Sequence, residues 1–438
     1  MASKSFTLTF LGDVMLGRLV DQLFPQHVNN THDEEIAAHF VRDYPSILGN
    51  GNYTASSPWG TTLPLLCASD LTLINLETSV TTSSESWPQK KFNYRMHPSN
   101  LGPILQAAHV DYVSLANNHT LDFGTEGLVE TVWTLKEAGV SFAGAGETTL
   151  ESYRAAVLWL PRKAQEYHSR RVDGQKVLQS QQEQPQDHAY PVHVYSASDH
   201  PHDWNTVPTF HLIDYSSKTR VRLRRLLLTG GATTHPPEND YVNEDHEFHH
   251  RAHHHHQQSG SSSSTPASAL KIFSIHWGPN YTWHPSDRIR ALAHFLIDEC
   301  GVDIVHGHSS HHVQGVERYH GKVIIYGCGD FVDDYTMHED FRNDLGAVWR
   351  VTVKEKFGSE QDDNRGVNEN GLSLDRLEIF PMRIDRFRAM LLDVQDKDHW
   401  WVWRKIEALS ADLGTLVRDE LGDQGQVIID LDADLIDV

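Results

Sequence analysis

The chain has 438 residues, enough for one large domain or two ordinary ones. Its formal net charge of −22 argues against nonspecific nucleic-acid binding. No run approaches the roughly 18 consecutive apolar residues of a membrane helix, so no stable membrane insertion is expected. Three cysteines (Cys67, Cys300 and Cys328) are odd in number and lack metal-ligand spacing, which suits reduced core thiols of a cytoplasmic protein.

The predicted elements alternate between strand and helix. Phe6–Leu11 is an apolar strand, too short to span a membrane, and it runs into Gly12-Asp13-Val14-Met15-Leu16-Gly17-Arg18. A long polar loop is expected from about Asn29 to Pro64. Leu71–Leu76 is a second strand, ending at Glu77. Leu101–Ala108 reads as a helix and Val110–Leu115 as a strand that leads into Asn117-Asn118-His119. Leu128, Val132 and Leu135 repeat at helical spacing over Thr125–Ala138, with Gly139 as the stop and Val140–Ala143 as the next strand.

Two stretches, Arg162–His188 and Thr234–Ala267, are rich in Gln, Glu, His and Ser and read as disordered insertions. The His253–His256 run in the second is a possible but incidental metal binder. Between them lie a strand at Val192–Ser196 and a basic helix at Tyr215–Leu228. Leu270–Ile275 is a strand ending at His276, Arg288–Ile297 a helix, and Val302–Val305 a strand that delivers His306-Gly307-His308-Ser309-Ser310-His311-His312. Val323–Tyr326 is another strand, and Ala347–Val353 and Leu372–Ile379 form a late β pair. His399–Leu421 is an amphipathic helix opening on Trp400, Trp401 and Trp403, which serve as a core anchor or stack on a substrate. Two divisions follow: 1–395 as the main domain, and 396–438 as a C-terminal helix and acidic tail packed on or trailing the core. The β-α-β-α alternation implies an α/β fold, with helices covering a sheet.

Chemistry-bearing residues recur at the ends of apolar runs. A carboxylate at a strand's C-terminal end faces the crevice where open α/β sheets bind ligands, and it is a hard ligand for a divalent ion. Asp13 and Glu77 fit that role, or that of a turn or helix-capping acid. An Asn amide oxygen can ligate a metal while the next residue, His119, acts as general acid. Asp122 either fixes the His119 tautomer or caps the following helix. His276 joins His306, His308 and His311 on a neighbouring strand end, where neutral imidazoles suit a transition metal. His312 and His320 are expected at the surface. Arg18 binds a phosphate or carboxylate, or pairs with an acid.

Taken in order, these blocks resemble the capsule-synthesis CapA (poly-γ-glutamate synthesis PgsA) family, a relative of the calcineurin-like metallophosphoesterases. The matching segments are Gly12–Arg18, Asn75–Thr78, Ala116–Gly124, Gly144–Gly146, Ser274–Gly278, Gly307–Glu317 and Gly321–Phe331. The resemblance implies a four-layer α/β/β/α sandwich and one or two divalent ions (Mn, Fe or Zn) at Asp13, Glu77, Asn118, His276, His308 and His311. It implies His119 as proton donor with Asp122 behind it, and Arg18 toward the substrate. The substrate would be a small molecule or polyglutamate-type chain, cleaved as a phosphoester or a γ-glutamyl amide, or handled without catalysis by an accessory protein. The chain departs from the pattern at Met15, where phosphoesterases place a His, and at Ser309-Ser310, where the family has His-Pro. Bacterial members often carry an N-terminal membrane anchor, which these residues do not show. No Gly-rich phosphate loop of an ATP-dependent ligase is present.

Overall fold

The computed structural model describes residues 3–48, 51–162, 189–229, 266–356 and 371–432. Both expected insertions, with the His253–His256 run, fall mainly or wholly outside these residues. Among the described residues the fold is mixed α/β, with a nine-stranded sheet, a six-stranded sheet and a two-stranded ribbon.

The nine-stranded sheet is built around Ser5–Val14. This strand pairs in parallel with Leu71–Leu76, which pairs with Tyr112–Ser114 and then Ser141–Ala143. On its other edge it pairs antiparallel with Leu345–Glu355, followed by Leu372–Ile384 and Ala389–Leu391. In the six-stranded sheet, Lys322–Ile325, Ile304–His308, Leu270–His276 and Tyr190–Ser198 run parallel, with Val316–Tyr319 and Ala156–Leu160 antiparallel at the edges.

Side-chain alternation along the strands decides what each face buries. Phe6, Leu8 and Phe10 join Leu71, Leu73, Ile272 and Ile304 in one core drawn from both sheets. Leu11, Val14, Ile74 and Val113 face a second core with the helix residues Ile104, Leu128 and Leu135. Phe273, Ile275 and Val305 face a third, with Leu223, Leu292 and Leu296.

Within the face shared by the two sheets, polarity changes along the parallel strands. Leu270 and Ile272 give way to Ser274 and His276, Ile304 to His306 and His308, and Leu71 and Leu73 to Asn75. All are buried, so the shared layer is apolar at one end and polar at the C-terminal strand ends. That gradient locates the site.

Two expectations are corrected, and a strand is added. The stretch from 29 to 64 is not a loop: Asn30 caps a helix at Thr31–Asp43, and short helices follow at Ser57–Thr62 and Leu63–Cys67. The C-terminal helix spans Lys397–Ala411 and stops ten residues short of Leu421. Its buried Val402 and Ile406 join the shared core. Beyond it, Val427–Asp430 forms a strand antiparallel to Leu372–Ile384, so this part of the acidic tail is built into the sheet. Within the Trp cluster, Trp401 and Trp403 pack against the core while Trp400 is exposed.

Candidate metal centre

Asp13 reaches the polar end of the shared layer because its strand bulges. Phe10 pairs with Leu73 but Asp13 pairs with Asn75, three residues against two. The extra residue turns Asp13 onto the face of Phe10, toward the second sheet, where regular alternation would have aimed it at the helices. Gly12 is required in this bulge, since a Cβ there would lie 1.8 Å from the Gly329 carbonyl oxygen. Gly307 plays the same part between His306 and His308. A Cβ there would sit 2.3 Å and 2.5 Å from the carbonyl oxygens of Tyr326 and Ile325.

The donors converge in two groups that share Asp13. One is Asp13, His276 and His308; the other is Asp13, Glu77, His311 and Asp330. Within each group the ligand atoms lie within 4.8 Å of one another, and every member is buried. The carboxylates come from the nine-stranded sheet and its loops, and the imidazoles from the six-stranded one. His311 Nδ1 lies 2.8 Å from Asp330 Oδ1 and 3.7 Å from Asp13 Oδ2. Asn75 donates to Asp13 Oδ1 at 2.7 Å, and the Ser309 N–H to Oδ2 at 3.2 Å. Ser309 and His311 hold left-handed backbone angles, φ 95° and 61°, strain of the kind stored at functional sites.

Burial raises the Asp13 carboxyl, and it pushes Glu77 and Asp330 well above the usual carboxylate range with help from the Asp13 charge. Burial likewise drives His276 and His308 well below the usual imidazole range. Both Glu77 carboxylate oxygens, Asp330 Oδ2, His276 Nε2 and Asn118 Oδ1 are buried without a hydrogen-bond partner. Unpaired buried acceptors and crowded carboxylates are costly alone and favourable around a cation. The residues therefore fit a divalent metal.

Asn117 is structural. Its amide donates to Asn75 Oδ1 at 3.0 Å and to the Leu76 carbonyl at 2.8 Å, which frees Asn118 to present its own oxygen. His119 Nε2 lies 3.9 Å from Glu77 Oε1, and its Nδ1 lies 2.6 Å from Asp122 Oδ2. Asp122 also accepts from the Tyr94 N–H at 2.6 Å and from Lys90 Nζ. The helix Gly124–Ala138 has Phe123 at its N-cap with no side-chain cap bond, so Asp122 orients the histidine instead of capping. The Tyr94 ring stacks on His119 at 3.8 Å, and Arg18 lies 5.3 Å over that ring while pairing with Asp334 at 3.5 Å.

His306 is in neither donor group: its Nε2 pairs with the Leu11 carbonyl at 2.8 Å, across the two sheets. His312 is buried, not at the surface as expected, because its ring packs on Trp283 and Phe341. His320 is exposed and pairs with Asp298 at 3.0 Å. Sequence reasoning missed Asp330, Lys90 and Tyr94. For Asp330 a signal existed, since it follows the apolar run at Val323–Tyr326 as Asp13 and Glu77 follow theirs.

The fold and the cluster define a mixed α/β protein with a buried carboxylate–imidazole site at its strand ends. The profile of the family "Bacterial capsule synthesis protein PGA_cap" matches residues 7–335, and the chain belongs to that family. It is 31% identical over 433 residues to a "Probable polyglutamine synthesis accessory protein" of Mycobacterium tuberculosis, covering 95% of each chain. It is 22% identical over 326 residues to the "PGA biosynthesis protein CapA" of Bacillus subtilis, covering 74% of this chain and 63% of that one. With the "Capsule biosynthesis protein CapA" of Bacillus anthracis it shares 23% identity over 335 residues, 76% of this chain and 61% of the other. No helix among the described residues is long and apolar enough to cross a membrane.

Proposed function

We propose that the chain is a metal-dependent hydrolase with a two-ion centre, acting on a phosphoester in the setting of capsule or polyglutamate-type polymer synthesis. The observation that carries this is the placement of Asp13 in both buried donor groups, next to a His119–Asp122 pair. Three cores, one drawn from both sheets and one under the helices of each, support a four-layer α/β/β/α sandwich of metallophosphoesterase type. The mixed oxygen and nitrogen donors suit Mn, Fe or Zn. A cytoplasmic setting belongs to the same reading and rests on the free Cys67, Cys300 and Cys328.

Divalent ions held there would supply Lewis acidity and an activated water. Asp13, Glu77, Asn118, His276, His308, His311 and Asp330 would hold them. Nδ1 of His119 is bonded to Asp122, so Nε2, on the Glu77 side, is the nitrogen that faces the leaving oxygen; it would deliver its proton from the imidazolium, the form Asp122 favours against burial. Lys90 and the Tyr94 N–H hold Asp122 in place, and the Tyr94 ring fixes the imidazole plane. Arg18, part-exposed beside Tyr94, is placed to meet an anionic substrate.

The name of the mycobacterial relative favours a second reading, a non-catalytic accessory protein whose cluster binds carboxylates. The test is metal analysis of the purified chain, followed by assays with bis(p-nitrophenyl) phosphate and γ-glutamyl-p-nitroanilide. Turnover of the phosphodiester that is lost in His119→Asn at unchanged metal content supports the hydrolase. Turnover of the anilide alone moves the substrate to a γ-glutamyl amide. A metal-loaded protein that turns over neither supports the accessory role.

A further inference from the structure

On the His276 side of the cluster lies a cavity of 670 Å³, lined in part by Asp199, His200, Tyr215, Gly278, Ser286 and Arg288. Two connections join it to the donors. The His200 ring is 5.0 Å from the His276 ring. The Gly278 carbonyl accepts from Ser309 Oγ at 3.3 Å, and the Ser309 N–H donates to Asp13. Both Asp199 oxygens are tied into the cavity lining. Asp199 Oδ1 holds His200 Nδ1 at 2.5 Å, while Oδ2 accepts from the Tyr215 hydroxyl at 2.6 Å and the Gly278 N–H at 2.9 Å.

The Asp199 and Asp214 carboxyls in this lining are already engaged, Asp214 by Ser216 and Thr219. Arg288 is not. Its guanidinium lies 5.5 Å over the Tyr215 ring, and it forms no ion pair among the described residues. It is the second residue of the helix Asp287–Asp298, and the N-cap Ser286 makes no side-chain capping bond, so its hydroxyl is available to the cavity. A cation, a hydroxyl and an imidazole thus line a cavity that opens beside a candidate metal centre.

We propose that this cavity is a subsite for an anionic group, carboxylate or phosphate, of the molecule processed at the donor cluster, with Arg288 as its counter-ion. The word "processed" rests on the hydrolase reading; the binding of the anion does not. The test is calorimetric titration of the full chain as purified with γ-glutamylglutamate and, separately, with inorganic phosphate. Wild type is compared with Arg288→Gln and with Arg404→Gln, a charge-matched control at an exposed arginine paired with Glu407. Arg288→Gln should weaken at least one probe by about tenfold at unchanged metal content, and Arg404→Gln should stay within about twofold. The probe that loses affinity identifies the anion. Equal binding by wild type and Arg288→Gln, or no binding of either probe to wild type, overturns the subsite. A chain that hydrolyses nothing yet binds through Arg288 would sink the hydrolase reading and leave the subsite standing.

Discussion

Asp13 and Asp330 lie opposite each other on neighbouring parallel strands, and both carboxyls belong to one buried donor group. Two acids in register are unfavourable in a water-poor layer, and each is held above the usual carboxylate range chiefly by burial. His311, bonded to Asp330, cannot satisfy both acids. The pairing makes sense around a cation.

The shared use of Asp13 predicts unequal effects on metal content. Wild type should carry two ions per chain, Asp330→Asn one, and Asp13→Asn none, because Asp330 serves a single group and Asp13 serves both. Elemental mass spectrometry checks this. Equal losses in the two variants would rule out two separate positions.

His119 predicts a split between binding and turnover. His119→Asn should lower kcat by roughly 10²–10⁴-fold while leaving the ions in place. A variant that keeps full kcat would remove His119 from the proton-transfer role, and parallel metal analysis distinguishes that from loss of the centre.

Two glycines should respond very differently to the same added methyl. Gly12→Ala forces a Cβ to 1.8 Å from a backbone oxygen, so a loss of roughly 3 kcal/mol or failure to fold is expected. Gly102→Ala, inside a helix, meets beyond its chain neighbours only the Ala138 Cβ, at 3.5 Å; the helix gain is opposed by the new Cβ ahead of Pro103, so a change of no more than about 1 kcal/mol is expected. Thermal melts of the two variants test the bulge directly.

His211 predicts a pH dependence away from the metal centre. Burial lowers its imidazole from 6.5 to about 4, where Nδ1 pairs with the Ser196 carbonyl. Between those values the unfolded chain takes up a proton that the folded one refuses. The stability present above pH 6.5 is therefore lost as pH falls through about 4. Denaturation of metal-free protein should show a drop from pH 7 to pH 5 about 2 kcal/mol larger in wild type than in His211→Gln. Identical slopes would mean His211 is protonated at no cost in the fold.

Much of the site was legible because its residues end apolar runs. Asp13, Glu77, His276 and His308 each lie at or just past the end of an apolar run that reads as a buried strand. The two-group arrangement was not legible, since it depends on the bulge at Gly12 and on the pairing of Asp330 with Asp13, a contact 317 positions apart in the chain. The helix Thr31–Asp43 was hidden by its composition. Asn30, Thr31, Asp33 and Glu34 read as loop residues but serve as a cap and an acidic first turn, and only a narrow apolar stripe at Ile36, Ala37, Phe40 and Val41 packs inward. Val427–Asp430 escaped notice because four residues make a strand only when a distant partner, here Arg376–Ile379, is ready to receive them. His312 was expected at the surface, like His320, but Trp283 and Phe341 close over it.

The division of donors between the sheets has a consequence for how the molecule matures. Oxygen ligands alone would hold calcium or magnesium as readily as anything else, and imidazoles alone would capture copper. Neither sheet by itself specifies the ion. On the metal reading, discrimination would arise only after the two have docked, and ion capture would double as a signature of completed assembly. A truncated or half-folded chain would leave its acids and histidines unmatched, exposed to the wrong metals and to proteolysis, whereas an ion bound in the finished one would rivet it across its seam.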